Sequence, residues 1–495
     1  MLALVLLVAV AALPASPASL ADRIAALERT SPAARHGFWG IQVMDLDTGK
    51  IVYQRNSGKL FVPASNLKLF TAALALFRLG PDYRFRTRIL AGSPPDENGV
   101  IRGGIRFLGG GDPTLSAREF PYEPGPVRGD PLAPLAELAD QIAARGVRRI
   151  EGGIVGDDSL YVWEPYPQGW DQDDTAWEYG APVSALTLHD GAFRLSVIAG
   201  KKPGASARLI LKPPLEYYTV HNHAVTVSRG ESRIRVEWPL GSREIHVWGK
   251  VRPRAGRARI LAVRDPAHYA AWALARALRE RGIAVTGEIR VRHRWMHEVE
   301  DLEEGEGVPE PRGFVLAERR SPPLYEILQF AHKESRNLDM ELIARQVALV
   351  RRGIGSRAAA LEEMKEFLAE IGVPEDDYRF FDASGLSSLN LVTPRAIVKL
   401  LSFMYLSRER DGWLGLMAVG GEDGTLRYRF REAAARHRVL AKTGTLTGVS
   451  ALSGYLEIRP GRMLAFSILL NNYGTRTGMA RKFIDEVVEL FLERR

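Results

Sequence analysis

The 495-residue chain has no cysteine, which excludes disulfides, thiolate-held metals and a thiol nucleophile. It also lacks the Gly-x-Ser-x-Gly elbow of Ser-His-Asp hydrolases and the Gly-x-x-x-x-Gly-Lys-Ser/Thr loop that cradles phosphates. Beyond the N-terminus no apolar run is long enough to cross a bilayer. Lys and Arg outnumber Asp and Glu by 67 to 59, a net charge of +8, but no basic block is interleaved with aromatics, so nucleic acid is not an expected partner. Peripheral contact with an anionic membrane or cell surface stays open. His293 and His297 have helical metal spacing, yet Arg294 stands where a zinc peptidase needs Glu, and the segment reads as strand. No metal and no cofactor is expected.

The length exceeds what one core usually organises, so two or more domains are expected. An apolar run from Leu2 to Leu13, followed by Pro14 and small residues ending Ser19-Leu20-Ala21, reads as a cleaved secretory signal over residues 1–21, which implies a periplasmic or extracytoplasmic protein. The run has no Lys or Arg before it, so an uncleaved anchor or a buried helix remains as an alternative.

The densest chemistry lies in Pro63-Ala64-Ser65-Asn66-Leu67-Lys68, which opens an apolar run to Leu79. A helix apolar all round is a buried helix. Residues three apart share a helix face, so Lys68 sits beside the Ser65 hydroxyl in surroundings that penalise an ammonium ion. An N-cap serine followed by a solvated lysine is the plainer alternative for this tetrad alone.

Taken in order, Ile41–Leu46 and Ile51–Gln54 flank Asp47-Thr48-Gly49-Lys50 as a hairpin. From about 83 to 314 short β-like runs punctuated by Gly and Pro read as an inserted, strand-rich unit, with two nested parts an option. Within it, a helix ending Arg145-Gly146 and leading to Ile154 echoes one ending Arg281-Gly282 and leading to Ile289, a common kind of connection. The acidic stretch from Glu298 to Pro311 reads as a linker. A helix after Ser321-Pro322-Pro323 then leads to Ser335-Arg336-Asn337. The last quarter gives three strands, Arg438–Lys442, Val449–Ile458 and Met463–Asn471, and an amphipathic helix with Ile484, Val487, Val488 and Phe491 on one stripe. In Lys442-Thr443-Gly444-Thr445, at a strand end, Gly444 would leave the edge bare for a ligand backbone to add as a strand.

Ser65-x-x-Lys68, Ser335-x-Asn337 and Lys442-Thr443-Gly444, in that order, resemble the motif triple of penicillin-recognising serine acyltransferases. The long gap between the first two resembles the D-alanyl-D-alanine carboxypeptidase/endopeptidase family typified by penicillin-binding protein 4. Asp382-Ala383-Ser384-Gly385-Leu386-Ser387 and Gly424-Thr425-Leu426 agree with it. The fold implied is α/β (α+β): a penicillin-binding/β-lactamase-like domain, antiparallel sheet flanked by helices, over 22–82 and 315–495, carrying the insertion. Arg336 departs from the Asp many relatives have, and Ser388-Leu389-Asn390 competes with Ser335-Arg336-Asn337 for the middle role.

The resemblance implies a serine DD-peptidase inhibited by penicillin, with peptidoglycan stem peptides and β-lactam antibiotics as ligands. Ser65 would attack, Lys68 act as base, and Ser335 and Asn337 complete the proton path. The N–H groups of Ser65 and Thr445 would bind the oxyanion, and Lys442, Thr443 and Thr445 the terminal carboxylate. In Gly156-Asp157-Asp158-Ser159-Leu160-Tyr161, Asp157 and Tyr161 would meet the third stem residue. A penicillin sensor that acylates without turnover and a β-lactamase are the alternatives. The latter is disfavoured for want of a Glu-x-x-Leu-Asn element. Moving a lysine from about 10.4 to about 7.5 needs roughly 4 kcal/mol, and a helix N-terminus supplies at most about 2. A second ammonium, with Lys442 the candidate, or deep burial must supply the rest.

Overall fold

The structure, a computed structural model, describes residues 19–127, 129–239, 241–299, 312–432 and 434–493. Most of the expected leader and of the acidic linker lies outside the described residues. Ser19 caps the first helix, Leu20–Thr30, and exchanges side-chain and backbone bonds with Asp22 in a capping box, so a leader ending at Ala21 would take that cap with it.

The long strands near the C-terminus read as almost continuously apolar because both faces of their sheet are covered. Six strands lie in the order Ala418–Val419, Val439–Leu446, Val449–Arg459, Arg462–Asn471, Phe38–Asp45 and Ile51–Arg55, all antiparallel. Leu464, Phe466, Ile468 and Leu470 turn to one side, where the N-terminal helix and Thr477–Leu492 pack. Met463, Ala465 and Leu469 turn to the other, against Lys68–Leu79, Asn337–Arg352 and Pro394–Leu406. The stripe Ile484, Val487, Val488 and Phe491 is fully buried. The apolar run after Ser65 is likewise a helix buried from Lys68 to Leu76.

The insertion begins with Arg86–Ala91. Its main sheet runs Ile289–Arg294, Ile154–Val162, Ile105–Leu108, Arg86–Ala91 and Phe314–Arg320. The last of these pairs with Arg86–Ala91, so the chain re-enters the catalytic unit at about Ser321, past the expected boundary at 315. The sequence echo has a physical counterpart: helices Ala133–Ala144 and Pro266–Glu280 each end near a left-handed glycine, Gly146 (φ 76°) and Gly282 (φ 75°). The strands that follow them pair side by side in parallel, Ile150 with Val285 and Ile154 with Ile289. Two further three-stranded sheets, built within 192–262, share the insertion's core.

Candidate active site

Ser65 lies in a single 3₁₀ turn, Ala64–Leu67, that runs straight into the helix Lys68–Leu79. Ala64 before it is held at φ 48°, a conformation that costs a non-glycine residue on the order of 1 kcal/mol or more. The turn is pinned from beneath. Asn66 Nδ2 donates to the Lys442 carbonyl (2.9 Å), and Ser453 Oγ, itself bonded to Ser467, donates to Asn66 Oδ1.

Lys68 is completely buried. Its Nζ donates to Ser65 Oγ at 2.9 Å, Asn337 Oδ1 at 2.6 Å and the Ser384 carbonyl at 2.5 Å. Burial pulls this amine from 10.5 down to about 7, against the carboxylates of Asp382, Glu341 and Asp339, with the Arg336 guanidinium adding to the depression. Burial is thus the source of the shift, rather than a neighbouring Lys442 ammonium. Lys442 is itself held well below its ordinary range by burial first and by the Lys68 charge second, with Glu334 opposing.

Ser335 occupies the turn between helices Leu324–Lys333 and Asn337–Arg352, again at positive φ (59°). Lys442 Nζ donates to its Oγ at 2.8 Å and to the Thr443 carbonyl at 3.0 Å. Two pairs result, Ser65 with Lys68 and Ser335 with Lys442, and Asn337 joins the first to the second through the helix start. Of the two Ser-x-Asn candidates, only Ser335 takes part in this network. Ser388 lines the cleft, while Asn390 is buried and donates to Asp382 Oδ1.

The Asp382 loop positions the Ser384 carbonyl. Its carboxylate accepts from the N–H groups of Gly385 and Ser387 and from the Trp170 indole. Gly385 sits at φ 82°, and a Cβ there would stand 2.0 Å from the Ala64 carbonyl oxygen, so the loop lies directly on the nucleophile turn.

The strand Val439–Leu446 has Val449–Arg459 along one side. On the other side Ala418–Val419 reaches only Ala441 and Leu440, so the edge from Thr443 to Leu446 is unpaired among the described residues. Gly444 has a different task from the one expected: its Cβ would stand 2.6 Å from the Pro63 carbonyl oxygen, so glycine there admits the nucleophile turn against the strand. Thr443 Oγ1 donates to Thr425 Oγ1 (2.8 Å), and Thr445 Oγ1 accepts from the exposed Arg481 (3.2 Å). A cleft of about 500 Å³ opens beside Ser65, Asn337 and Thr445.

Asp157 and Tyr161 are not in this cleft. Asp157 points into the insertion's interior, fully buried and facing Arg106 at 3.2 Å, while Tyr161 is buried where the insertion meets the helix Asn337–Arg352, its Oη donating to Gln346 Oε1 (2.6 Å). The strand Ile154–Val162 is covered on both sides, which hides which residues could face a ligand. The cleft's acids come instead from the loop after that strand, Asp171 and Asp174, together with Tyr179. No motif marked them. The same loop grips the catalytic motif, since Asn337 Nδ2 donates to the Tyr179 carbonyl at 2.8 Å. Further insertion residues do likewise: Arg118 pairs with Asp339 (2.6 Å), Asp190 with Arg336 (3.1 Å), and Tyr122 donates to Glu334 (2.7 Å).

A serine hydroxyl bonded to a buried lysine of lowered basicity, at the open edge of an antiparallel sheet, defines a serine peptidase of the penicillin-binding, β-lactamase-like fold. Residues 20–492 match the D-Ala-D-Ala carboxypeptidase 3 (S13) family, and the chain belongs to that family. It is 34% identical over 456 residues to the D-alanyl-D-alanine carboxypeptidase of Actinomadura sp. (strain R39), covering 89% of this chain and 79% of that one. To the D-alanyl-D-alanine carboxypeptidase DacB of Haemophilus influenzae it is 25% identical over 452 residues, 88% and 86% of the two chains. The crystal structure of penicillin binding protein 4 from Haemophilus influenzae superposes with a TM-score of 0.80 at 23% identity, over 95% of this chain and 98% of that one, a likeness of fold.

Proposed function

We propose that this peptidase cleaves the terminal D-Ala-D-Ala bond of peptidoglycan stem peptides through an acyl-enzyme on Ser65. The observation that carries the reading is the buried Lys68 amine, bonded at once to Ser65 Oγ and Asn337 Oδ1. Neutral Lys68 takes the Ser65 proton as the hydroxyl attacks the D-alanyl carbonyl, and the developing oxyanion meets the N–H groups of Ser65 and Thr445. The proton then passes from Lys68 to the departing D-alanine amine by way of Ser335, which gives up its own proton to the amine and takes the other in exchange, held in place by Lys442. Water then releases the shortened peptide. The substrate backbone adds along the open edge from Thr443 to Leu446, and its carboxylate lies near Thr443, Thr445 and Lys442, with the Arg481 guanidinium adding positive charge. The same acyl chemistry serves a cross-link, whose bond also begins at a D-alanyl carbonyl, and a β-lactam, which acylates Ser65.

Asp171 and Asp174 give the cleft an acidic wall suited to a stem peptide whose third residue carries a free amine. The location follows from the substrate and from the N-terminal apolar run: periplasmic or extracytoplasmic. Release of free D-alanine from a synthetic pentapeptide ending D-Ala-D-Ala tests the reading. Wild-type protein should release it and Ser65→Ala should not. A wild-type protein that takes up penicillin yet releases no D-alanine would instead be a sensor.

A further inference from the structure

One exposed sheet face in the insertion carries a group of side chains that the peptidase chemistry does not use. Strands Thr219–Thr226 and Glu244–Val251 pair in parallel, with His221 opposite His246 and Thr219 opposite Glu244. Side chains two apart share one face of a strand. His221, His223, Glu244 and His246 therefore stand together on the outer side, while Ala224, Ile245 and Val247 turn into the core. Three of the chain's ten histidines meet on this one small face.

The rings of His221 and His246 stack with centroids 4.6 Å apart at 14°, and His223 follows at 6.3 Å from His246. One ligand atom each from His221, Glu244 and His246 lies within 4.8 Å of the others. A solvated polar face would offer its nitrogens to water. Here His221 Nε2 is shielded from solvent, has no hydrogen-bond partner among the described residues, and stands 3.8 Å from Glu244 Oε2. Glu237, opposite His246 on the third strand, adds a second carboxylate to the same row.

We propose that His221, Glu244 and His246 form a binding site for a divalent transition-metal ion of zinc-like character. Two imidazoles and one carboxylate are the donor set such ions take in tetrahedral sites with an open fourth position, and His223 or water is available to fill it. Magnesium and calcium, which need mostly oxygen ligands, fit this set poorly. A bound ion would fasten the two strands across their ladder and give the shielded His221 nitrogen its partner.

The test is calorimetric titration of ZnCl2 into the full chain, stripped with chelator and carrying no histidine tag. Cobalt(II) absorption in the visible range provides a second readout of the ligand geometry. The expected result is one equivalent of zinc bound, with affinity reduced by at least about tenfold in His221→Ala and in His246→Ala, and with the cobalt band changed in both. Undiminished penicillin labelling of each variant will show that it is folded. Absence of zinc binding by the wild-type chain, or binding by the His221→Ala/His246→Ala double variant equal to wild type, would overturn the site.

Discussion

Lys68 Nζ lies 2.9 Å from Ser65 Oγ with no exposure to solvent. An amine so placed accepts the hydroxyl proton only when neutral, and removing it leaves Ser65 without a base. Lys68→Ala should slow acylation by a fluorescent penicillin by about 10² to 10⁴. Lys68→Arg should be no better, because a guanidinium stays protonated. Acylation of Lys68→Ala at the wild-type rate would show that another group is the base.

The acylation rate should depend on pH through this group. Lys68 titrates at about 7 because burial disfavours its charged form. Below that pH the amine is protonated and cannot accept, so the second-order rate constant for penicillin should fall with decreasing pH and level off above about pH 8. An ordinary exposed lysine would place the rise near pH 10. Stopped-flow acylation across pH 5 to 10 distinguishes the two.

The insertion should matter for the catalytic motif's placement as well as for substrate contacts. Arg118 and Asp339 are both almost fully buried, and Arg118 also pairs with Asp190 at 2.7 Å. Arg118→Ala would take the cation from Asp339, in the first turn of the helix that begins with Asn337, while Asp190 would keep Arg336. Loss of one partner of a buried pair costs about 3–5 kcal/mol. A lowered melting temperature together with slower acylation is expected, and an unchanged melting temperature would count against the brace.

Specificity and stability should separate between two acids, Asp174 and Asp157. Asp174→Ala should weaken turnover of pentapeptides with a free amine on the third residue while leaving penicillin acylation unchanged, since penicillin lacks that amine. Asp157→Ala should instead lower the melting temperature and affect both ligands alike, because it strips Arg106 of a buried partner. Steady-state kinetics on peptides with and without the amine, run beside penicillin labelling, will tell the two effects apart.

The parts of the site legible in the sequence are those whose chemistry is local. Ser65 and Lys68 are one turn apart, Ser335 and Asn337 share a helix start, and Lys442 to Thr445 is a single strand end, so each group appears as a short motif. The sheet strands were readable for the same reason. The acidic wall was not: Asp171, Asp174 and Tyr179 sit in an irregular loop with no periodicity, and only the fold brings them beside Ser65. Gly444 shows a second kind of limit. A bare strand edge and a close backbone contact both call for glycine, and the sequence does not say which side needs the space. Asp157 shows a third, since a strand covered on both faces carries no polar alternation to reveal which side chains reach a ligand.

The most direct test of the account is intact-mass spectrometry of the chain after exposure to penicillin, followed by peptide mapping. The account predicts one adduct of the drug's mass, on the peptide carrying Ser65, absent from Ser65→Ala protein that melts at the wild-type temperature. An adduct on any other residue, or one that persists in Ser65→Ala, would contradict it.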